Sequence, residues 1–272
     1  MKLTFLGTAA AEGFPAIFCN CEYCKEARKL GGKNIRSRSQ TLINDDLLID
    51  LPADSYWHFI NNGIEGDKIK YLLITHSHPD HLYPSELKMR HGAFARNMRI
   101  PELKAFCGEG AYKKITTEFS VCEGIEVNLV KPFKSFTVGE YEITPLPARH
   151  FAGDGAVFYI IKGEKNLLYG HDTGFFYEEV FEYIEKEKIY FDMISLDCTN
   201  VDIPTGDDGG HMGFENIGRL TKRLEDIKAV DGKTVKYVNH FSHNGNPIHS
   251  ILEKRAAEIG FKPSFDGAVV EI

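Results

Sequence analysis

The 272-residue chain reads as an α/β sandwich, with two sheets packed face to face and helices on their outer sides. Strand-like runs outnumber helical patterns, and both recur in each half of the chain. Turn signals come at short spacing, with no internal repeat, low-complexity tract or break in composition, so residues 1–272 are expected to form one domain. An apolar run over residues 69–75 ends directly in His76-Ser77-His78-Pro79-Asp80-His81, a cluster of metal-binding side chains mounted on a strand end.

The first strand is expected over residues 2–6. Lys2 followed by an apolar stretch imitates a secretory leader, but Gly7 breaks the stretch well short of leader length, so a strand turning at Gly7-Thr8 is the better reading. Strands near 39–43 and 46–51 are joined in hairpin style at Asn44-Asp45, and the fourth is the run 69–75. Helical patterns intervene near 22–30, 53–62 and 84–95. The second half alternates in the same way, with strands near 125–130, 141–146, 156–162, 166–171, 190–197 and 234–239 and helices near 108–119, 175–187, 213–225 and 247–259. The basic, turn-rich stretch 31–38 and the Asp/Gly-rich stretch 200–211 read as loops, where function often resides.

Composition narrows the function classes. Hydrophobic residues make up 43% of the chain, ordinary for a packed globular protein, and the net charge of −7 argues against a general nucleic-acid surface. No segment reaches transmembrane length. A cytoplasmic protein with reduced thiols and a small substrate is expected.

Side chains alternate along an extended segment, so His76 and His78 can face one ion, while Asp80 and His81, past the turn at Pro79, reach a second. Two metals side by side hold water for nucleophilic attack at neutral pH and clamp the oxygens of a displacement. This His-x-His-x-Asp-His segment after a strand resembles the metallo-β-lactamase superfamily. The resemblance implies an αββα sandwich, two mixed sheets flanked by helices, with two metals at the sheet edge. It also implies ligands downstream: His150 in Pro-Leu-Pro-Ala-Arg-His, Asp172 in Gly-His-Asp-Thr-Gly, and His240 in Val-Asn-His-Phe-Ser-His. His76, His78 and His150 then serve one metal, Asp80, His81 and His240 the other, and Asp172 bridges. A set without a thiolate is less like the antibiotic-degrading members and more like the hydrolases and phosphodiesterases.

Cys19, Cys21 and Cys24 lie within six residues, a spacing that wraps one ion, and His243 can complete a closed structural zinc site from the far end of the chain. Cys107, Cys122 and Cys198 lack such spacing and read as packing residues. Cys-x-Cys-x-x-Cys near the N-terminus with His-x-x-His near the C-terminus is similar to the phosphoribosyl cyclic phosphodiesterase (PhnP) family, over nearly the whole chain. That resemblance implies cleavage of a ribosyl cyclic phosphate, two catalytic divalent metals (manganese or zinc, with iron a further option) and one structural zinc. It also marks His211, in Gly-Gly-His-Met-Gly, as the group that protonates the leaving oxygen or stabilises phosphoryl charge, with Asp80 in the catalytic metal set.

The chain departs from the family at Asp50-Leu51-Pro52-Ala53-Asp54, where relatives carry Asp-x-Gly; Asp50 can still brace the ligand loop by hydrogen bonding. Arg90 and His91 follow the motif closely enough to offer a guanidinium and an imidazole to a substrate phosphate, although a solvated helix face explains them equally well. Arg149 and His171 adjoin ligands in sequence and point away from them, while His58 and His249 read as packing histidines. The expected partner is a small phosphodiester, not a membrane or a nucleic acid, and a homodimer is compatible with this. Rival readings are a tRNA-processing ribonuclease, a glutathione-thioester hydrolase, and a redox or carrier protein like the pyrroloquinoline-quinone biosynthesis protein of the same fold.

Overall fold

The computed structural model describes residues 1–118, 124–151 and 153–272. One sheet contains β1 (Lys2–Gly7), β2 (Gln40–Ile43), β3 (Leu47–Ile49), β4 (Tyr71–Ile74), β5 (Leu103–Cys107), β6 (Ile125–Leu129) and β14 (Ala268–Glu271), in the order β14-β1-β2-β3-β4-β5-β6. The other contains β7 (Phe136–Val138), β8 (Tyr141–Pro147), β9 (Val157–Lys162), β10 (Asn166–Gly170), β11 (Met193–Asp197), β12 (Val235–Asn239) and β13 (Lys262–Pro263), in the order β13-β12-β11-β10-β9-β8-β7. Six helices accompany them among the described residues: α1 (Glu22–Leu30), α2 (Ser55–Asn61), α3 (Glu109–Glu118), α4 (Glu178–Lys186), α5 (Phe214–Asp226) and α6 (His249–Glu258). None is long and apolar enough to cross a membrane.

The strands read as near-continuous apolar runs because both of their faces are covered. Along β2 to β4, Ile43, Leu47, Ile49 and Leu73 pack into the layer between the sheets with Ile143, Tyr159, Ile161 and Met193. Their neighbours Leu42, Leu48, Leu72 and Ile74 point the other way, onto Phe59, Ala111 and Ile115. The second sheet alternates likewise. Ile160, Leu168, Ile194 and Leu196 face Val180, Phe181, Ile217, Leu220 and Leu252 on its helical side. The Leu, Ile, Val, Phe and Met side chains among these contribute about 1.5–3 kcal/mol each on burial, which makes the αββα layering the arrangement that leaves least apolar surface in water.

Strand direction sets the site. β3 and β4 run parallel; β10, β11 and β12 are parallel to one another, and β8, antiparallel to β9 as β9 is to β10, shares their direction. The chain segments that leave the C-terminal ends of these strands carry Asp50, His76, His150, Asp172, Asp197 and His240.

Two sequence expectations need correcting. The helical pattern at 84–95 forms only a 3₁₀ helix, Pro84–Arg90, and the chain turns out of it at Gly92, with φ +65°. Strands β5, β7, β13 and β14 lack a strong sequence signal; three of them are two to four residues long, and β5 mixes the exposed Lys104 and the small Ala105 into its run.

Loop 31–38 joins chain ends instead of building a site. Arg36 donates to the Thr8 hydroxyl and the Ser264 carbonyl, and the Ser37 amide donates to Asp266. Behind it His58 is buried, with Nε2 2.7 Å from Ser37 Oγ and Nδ1 2.7 Å from Gln40 Oε1. Burial, only partly offset by Asp54, holds this imidazole down at about 4 from an ordinary 6.5. Between those values the unfolded chain takes up a proton that the folded chain refuses, so the contribution is present above pH 6.5 and is lost as pH falls towards 4, by about 3 kcal/mol. The gap in urea stability between wild type and His58→Gln should therefore shrink by about 2–3 kcal/mol from pH 7 to pH 4.5. A pH-independent gap would show that His58 takes up its proton equally in the folded and unfolded chains.

Candidate metal centre

Beyond β4 the chain turns through residues 76–82 and is braced at each step. Asp50 accepts the Thr75 amide at 2.8 Å and lies 2.7 Å from His81 Nδ1, so Nδ1 is the protonated nitrogen and Nε2 faces inward. Leu51 donates to the His81 carbonyl and accepts from Tyr83, so the altered turn after Asp50 is zipped onto the ligand loop. Asp154 takes the Ser77 amide at 2.9 Å and the Ser77 hydroxyl at 2.5 Å, and Lys114 donates to the carbonyls of Ser77 and Leu82.

Opposite this loop stand the strand ends of the second sheet. Asp172 Oδ2 lies 2.7 Å from His81 Nε2, 3.2 Å from His76 Nε2 and 3.5 Å from His240 Nε2. Its Oδ1 lies 3.1 Å from His211 Nδ1 and 3.6 Å from His150 Nδ1. His76, His78 and His150 form one group of convergent donors, and Asp80, His81, Asp172 and His240 another. Asp50, Asp172 and His240 have φ of +65°, +54° and +65°, left-handed values costly for residues with a Cβ, which the surrounding hydrogen bonds sustain. Gly174 allows the 200–211 loop to close on this edge, since a Cβ there would meet the Gly209 carbonyl oxygen at 1.7 Å.

The donor set fits cations. His150 Nδ1 donates to the Gly210 carbonyl, leaving Nε2 unprotonated and 3.1 Å from His78 Nδ1. His240 and His81 bring their Nε2 atoms to 3.1 Å. His76 Nε2 and Asp172 Oδ1 are buried without a hydrogen-bond partner. Such a concentration of inward lone pairs is costly unless a positive charge sits among them. Burial opposes a proton on His81, yet Asp50, Asp80 and Asp172 push its pKa well up, and the same field attracts a divalent ion.

His211 leans onto Asp197, with Nδ1 3.1 Å from Oδ2, and its side chain remains 29% exposed. Burial lowers its pKa, but Asp197 and then Asp172 outweigh that and hold it at about 9. Sequence reasoning passed over Asp197. Fully buried, it accepts the amides of Asp172, Thr199 and Met212, and so fixes three segments of the site. A readable signal was present, since Asp197 is an acid closing the apolar strand Met193-Ile194-Ser195-Leu196. Asp154 and Thr199, whose hydroxyl lies 2.7 Å from His240 Nδ1, were likewise missed and carry no such signal.

Cys19, Cys21 and Cys24 place their Sγ atoms 3.4, 3.7 and 3.7 Å from His243 Nδ1. A tetrahedral zinc, with bonds of about 2.3 Å to sulfur and 2.0 Å to nitrogen, separates such atoms by about 3.5 Å. Glu12 accepts the Ser242 hydroxyl and the His243 amide and steadies that side. Cys107 and Cys198 are buried in packing, and burial pushes the Cys107 thiol up to about 12; Cys122 lies outside the described residues.

Arg90 and His91 are not brought to the cluster. The Arg90 guanidinium donates to the carbonyls of Gly66 and Ile100 and lines a separate cavity under α2, while His91 makes no hydrogen bond or ring contact with a cluster member among the described residues. The short 3₁₀ helix directs this segment onto the first sheet's helical face. His171 packs beneath the site on Ser195 and Asn239, and Arg149 stacks on Tyr177 and donates to the Phe175 carbonyl. His249 is buried, 2.9 Å from the Arg36 guanidinium.

Comparison with known proteins agrees with this fold. The coenzyme PQQ synthesis protein B of Acinetobacter baumannii (strain ACICU) is 23% identical over 322 aligned positions, which cover the whole of both chains. Among solved structures, a diphosphatase of the PhnP family superposes with a TM-score of 0.76 at 20% identity, covering 100% of this chain and 97% of that one. Zinc-bound PqqB from Methylobacterium extorquens superposes at 0.77 with 18% identity over the full length of both. The family model for the β-lactamase superfamily domain matches residues 55–241, the stretch from α2 through His240. With its two seven-stranded mixed sheets and His/Asp clusters at their edge, the chain belongs to the β-lactamase superfamily and has the metallo-β-lactamase fold.

Proposed function

We propose that this protein is a dinuclear-metal phosphodiesterase that hydrolyses a small cyclic phosphate or ribosyl phosphodiester. The supporting observation is Asp172, one carboxylate lying between two groups of histidine donors, with the His211–Asp197 pair beside it. In this reading His76, His78 and His150 hold one cation, Asp80, His81 and His240 hold a second, Asp172 serves both, and Cys19, Cys21, Cys24 and His243 hold a zinc apart. A divalent pair, when bound, supplies an activated water and neutralises charge on the phosphoryl group.

The chain's own residues do the rest. His211 Nδ1 faces the carboxylates of Asp197 and Asp172, so the ring is held with Nε2 as its free donor. Protonated at neutral pH, it gives that proton to the departing oxygen. Asp197 keeps the ring oriented while the charge changes.

A screen of cyclic phosphates, mononucleotide diesters and thioesters, with protein loaded with manganese, zinc or iron, tests this. Conversion of a cyclic phosphate to a phosphomonoester is expected with manganese or zinc. Thioester turnover alone would overturn the reading. So would an iron- and oxygen-dependent oxidation, or binding of a quinone precursor without phosphoester turnover, in favour of a role like that of the PQQ-synthesis relative. His211→Gln should lower turnover of an alkyl-leaving diester by about a hundredfold or more and that of a p-nitrophenyl diester far less, since nitrophenolate departs without a proton. Equal losses on both would assign His211 to charge stabilisation instead.

A further inference from the structure

A cleft of about 540 Å³ opens beside the metal centre, and one of the cluster's own histidines, His150, is in its wall. Its other walls come from the end of β8, at Pro147 and Ala148, from Pro132, and from the rings of Phe151 and Tyr177. The volume suits a nucleoside-sized group, and the shared histidine places the cleft directly beside the cluster.

The two rings differ in how they are held. Tyr177 is covered on one face by the Arg149 guanidinium, whose carbon lies 4.1 Å from the ring centroid, and Arg149 is anchored on the Phe175 carbonyl and Asp208. Tyr177 is therefore a fixed wall. Phe151 is 63% exposed, and its one ring neighbour among the described residues is His78, with centroids 5.6 Å apart. A large apolar ring left in solvent next to a ligand cluster is a free stacking face. At the rim, Lys131 enters no ion pair among the described residues, and Glu179 lines the same cleft. A cation and a carboxylate together offer a donor and an acceptor to a heteroaromatic edge, which a plain alkyl or phenyl group would not use.

We infer that this cleft seats a nucleobase carried by the substrate phosphodiester, with Phe151 as its stacking platform while the phosphate lies at the His78–His150 cluster. The inference rests on the phosphodiesterase reading and narrows its substrate class to nucleoside phosphodiesters. Stacking of a base on an aromatic side chain is worth about tenfold in affinity or more, and depends on the ring and not on its charge.

The test compares two diesters with the same leaving group, thymidine 5′-(p-nitrophenyl phosphate) and methyl p-nitrophenyl phosphate, on the manganese-loaded protein. Phe151→Ala should raise KM for the nucleoside ester about tenfold, leaving kcat for both esters and KM for the methyl ester nearly unchanged; Phe151→Trp should restore KM. In parallel, calorimetric titration with thymidine 5′-monophosphate should weaken about tenfold in Phe151→Ala, while titration with inorganic phosphate does not change. Equal shifts for both esters, or for nucleotide and phosphate, would overturn the assignment, as would no shift at all. If neither ester is turned over with any metal, the phosphodiesterase reading fails separately. The titrations then decide the cleft, since nucleotide binding lost selectively in Phe151→Ala upholds it and any other pattern rejects it.

Discussion

Asp172→Asn is expected to lower turnover of a phosphodiester by at least about a thousandfold, or about 4 kcal/mol of barrier, while the protein stays folded. No other side chain in the cluster faces both donor groups so closely, with Oδ2 at 2.7–3.5 Å from His81, His76 and His240 and Oδ1 at 3.1 and 3.6 Å from His211 and His150. The amide has nearly the same shape, so the left-handed turn at φ +54° survives. What it lacks is the charge and a second anionic oxygen, and an amide nitrogen aimed at a cation repels it. Metal analysis should show the catalytic pair depleted, with the cysteine-bound zinc retained and the melting temperature little changed. His78→Ala should act in the same direction, because it removes a nitrogen that lies 3.1 Å from His150 Nε2. A metal-replete Asp172→Asn protein with wild-type turnover would remove the basis of the dinuclear reading.

Cys24→Ser is expected to cost about one zinc per chain and about 3–5 kcal/mol of stability, equivalent to roughly 10 °C in melting temperature for a chain of this size. Cys24 is fully buried and, by burial above all, its thiol is pushed up to about 12, so it becomes a thiolate only with a cation beside it. Serine cannot supply that thiolate. The damage should reach the catalytic edge, because His243 lies only three positions after His240. Between them Phe241 donates to the Thr8 carbonyl, its own carbonyl accepts Ala10, and Ser242 donates to Thr199. A fall in activity of about 10–100-fold is expected, the scale of lost outer support at a metal site. Cys107→Ala supplies the control, a buried thiol with no convergent donors among the described residues, and should leave metal content intact. Unchanged zinc content in Cys24→Ser would show that the four side chains converge for packing alone.

Much of the donor set was legible in the chain because its chemistry is local. Six consecutive residues carry His76, His78, Asp80 and His81, and another six carry Cys19, Cys21 and Cys24; no packing argument is needed to see that such groups repel or demand a cation. Asp50 was legible as a brace for a similar reason, lying at the end of an apolar strand, and the structure sets it against His81 and Thr75. The supporting acids were harder. Asp154 bonds Ser77 across 77 positions, and Asp197 meets His211 across 14, partners that no local pattern announces. Arg90 shows the converse: its nearness to the motif in sequence suggested a phosphate ligand, and a short 3₁₀ helix carries it onto the carbonyls of Gly66 and Ile100.

The sequence by itself determined the layering, since apolar runs with no polar face must be covered on both sides, and it determined the kinds of donor that meet at the edge. Only the tertiary structure decided which donors share a site. That choice depends on parallel strand directions in two separate sheets bringing Asp50, His76, Asp172, Asp197 and His240 to one edge, and on three left-handed residues turning their side chains inward once there. Strand pairing over such separations is set by the packing of the whole core, which no window of residues contains.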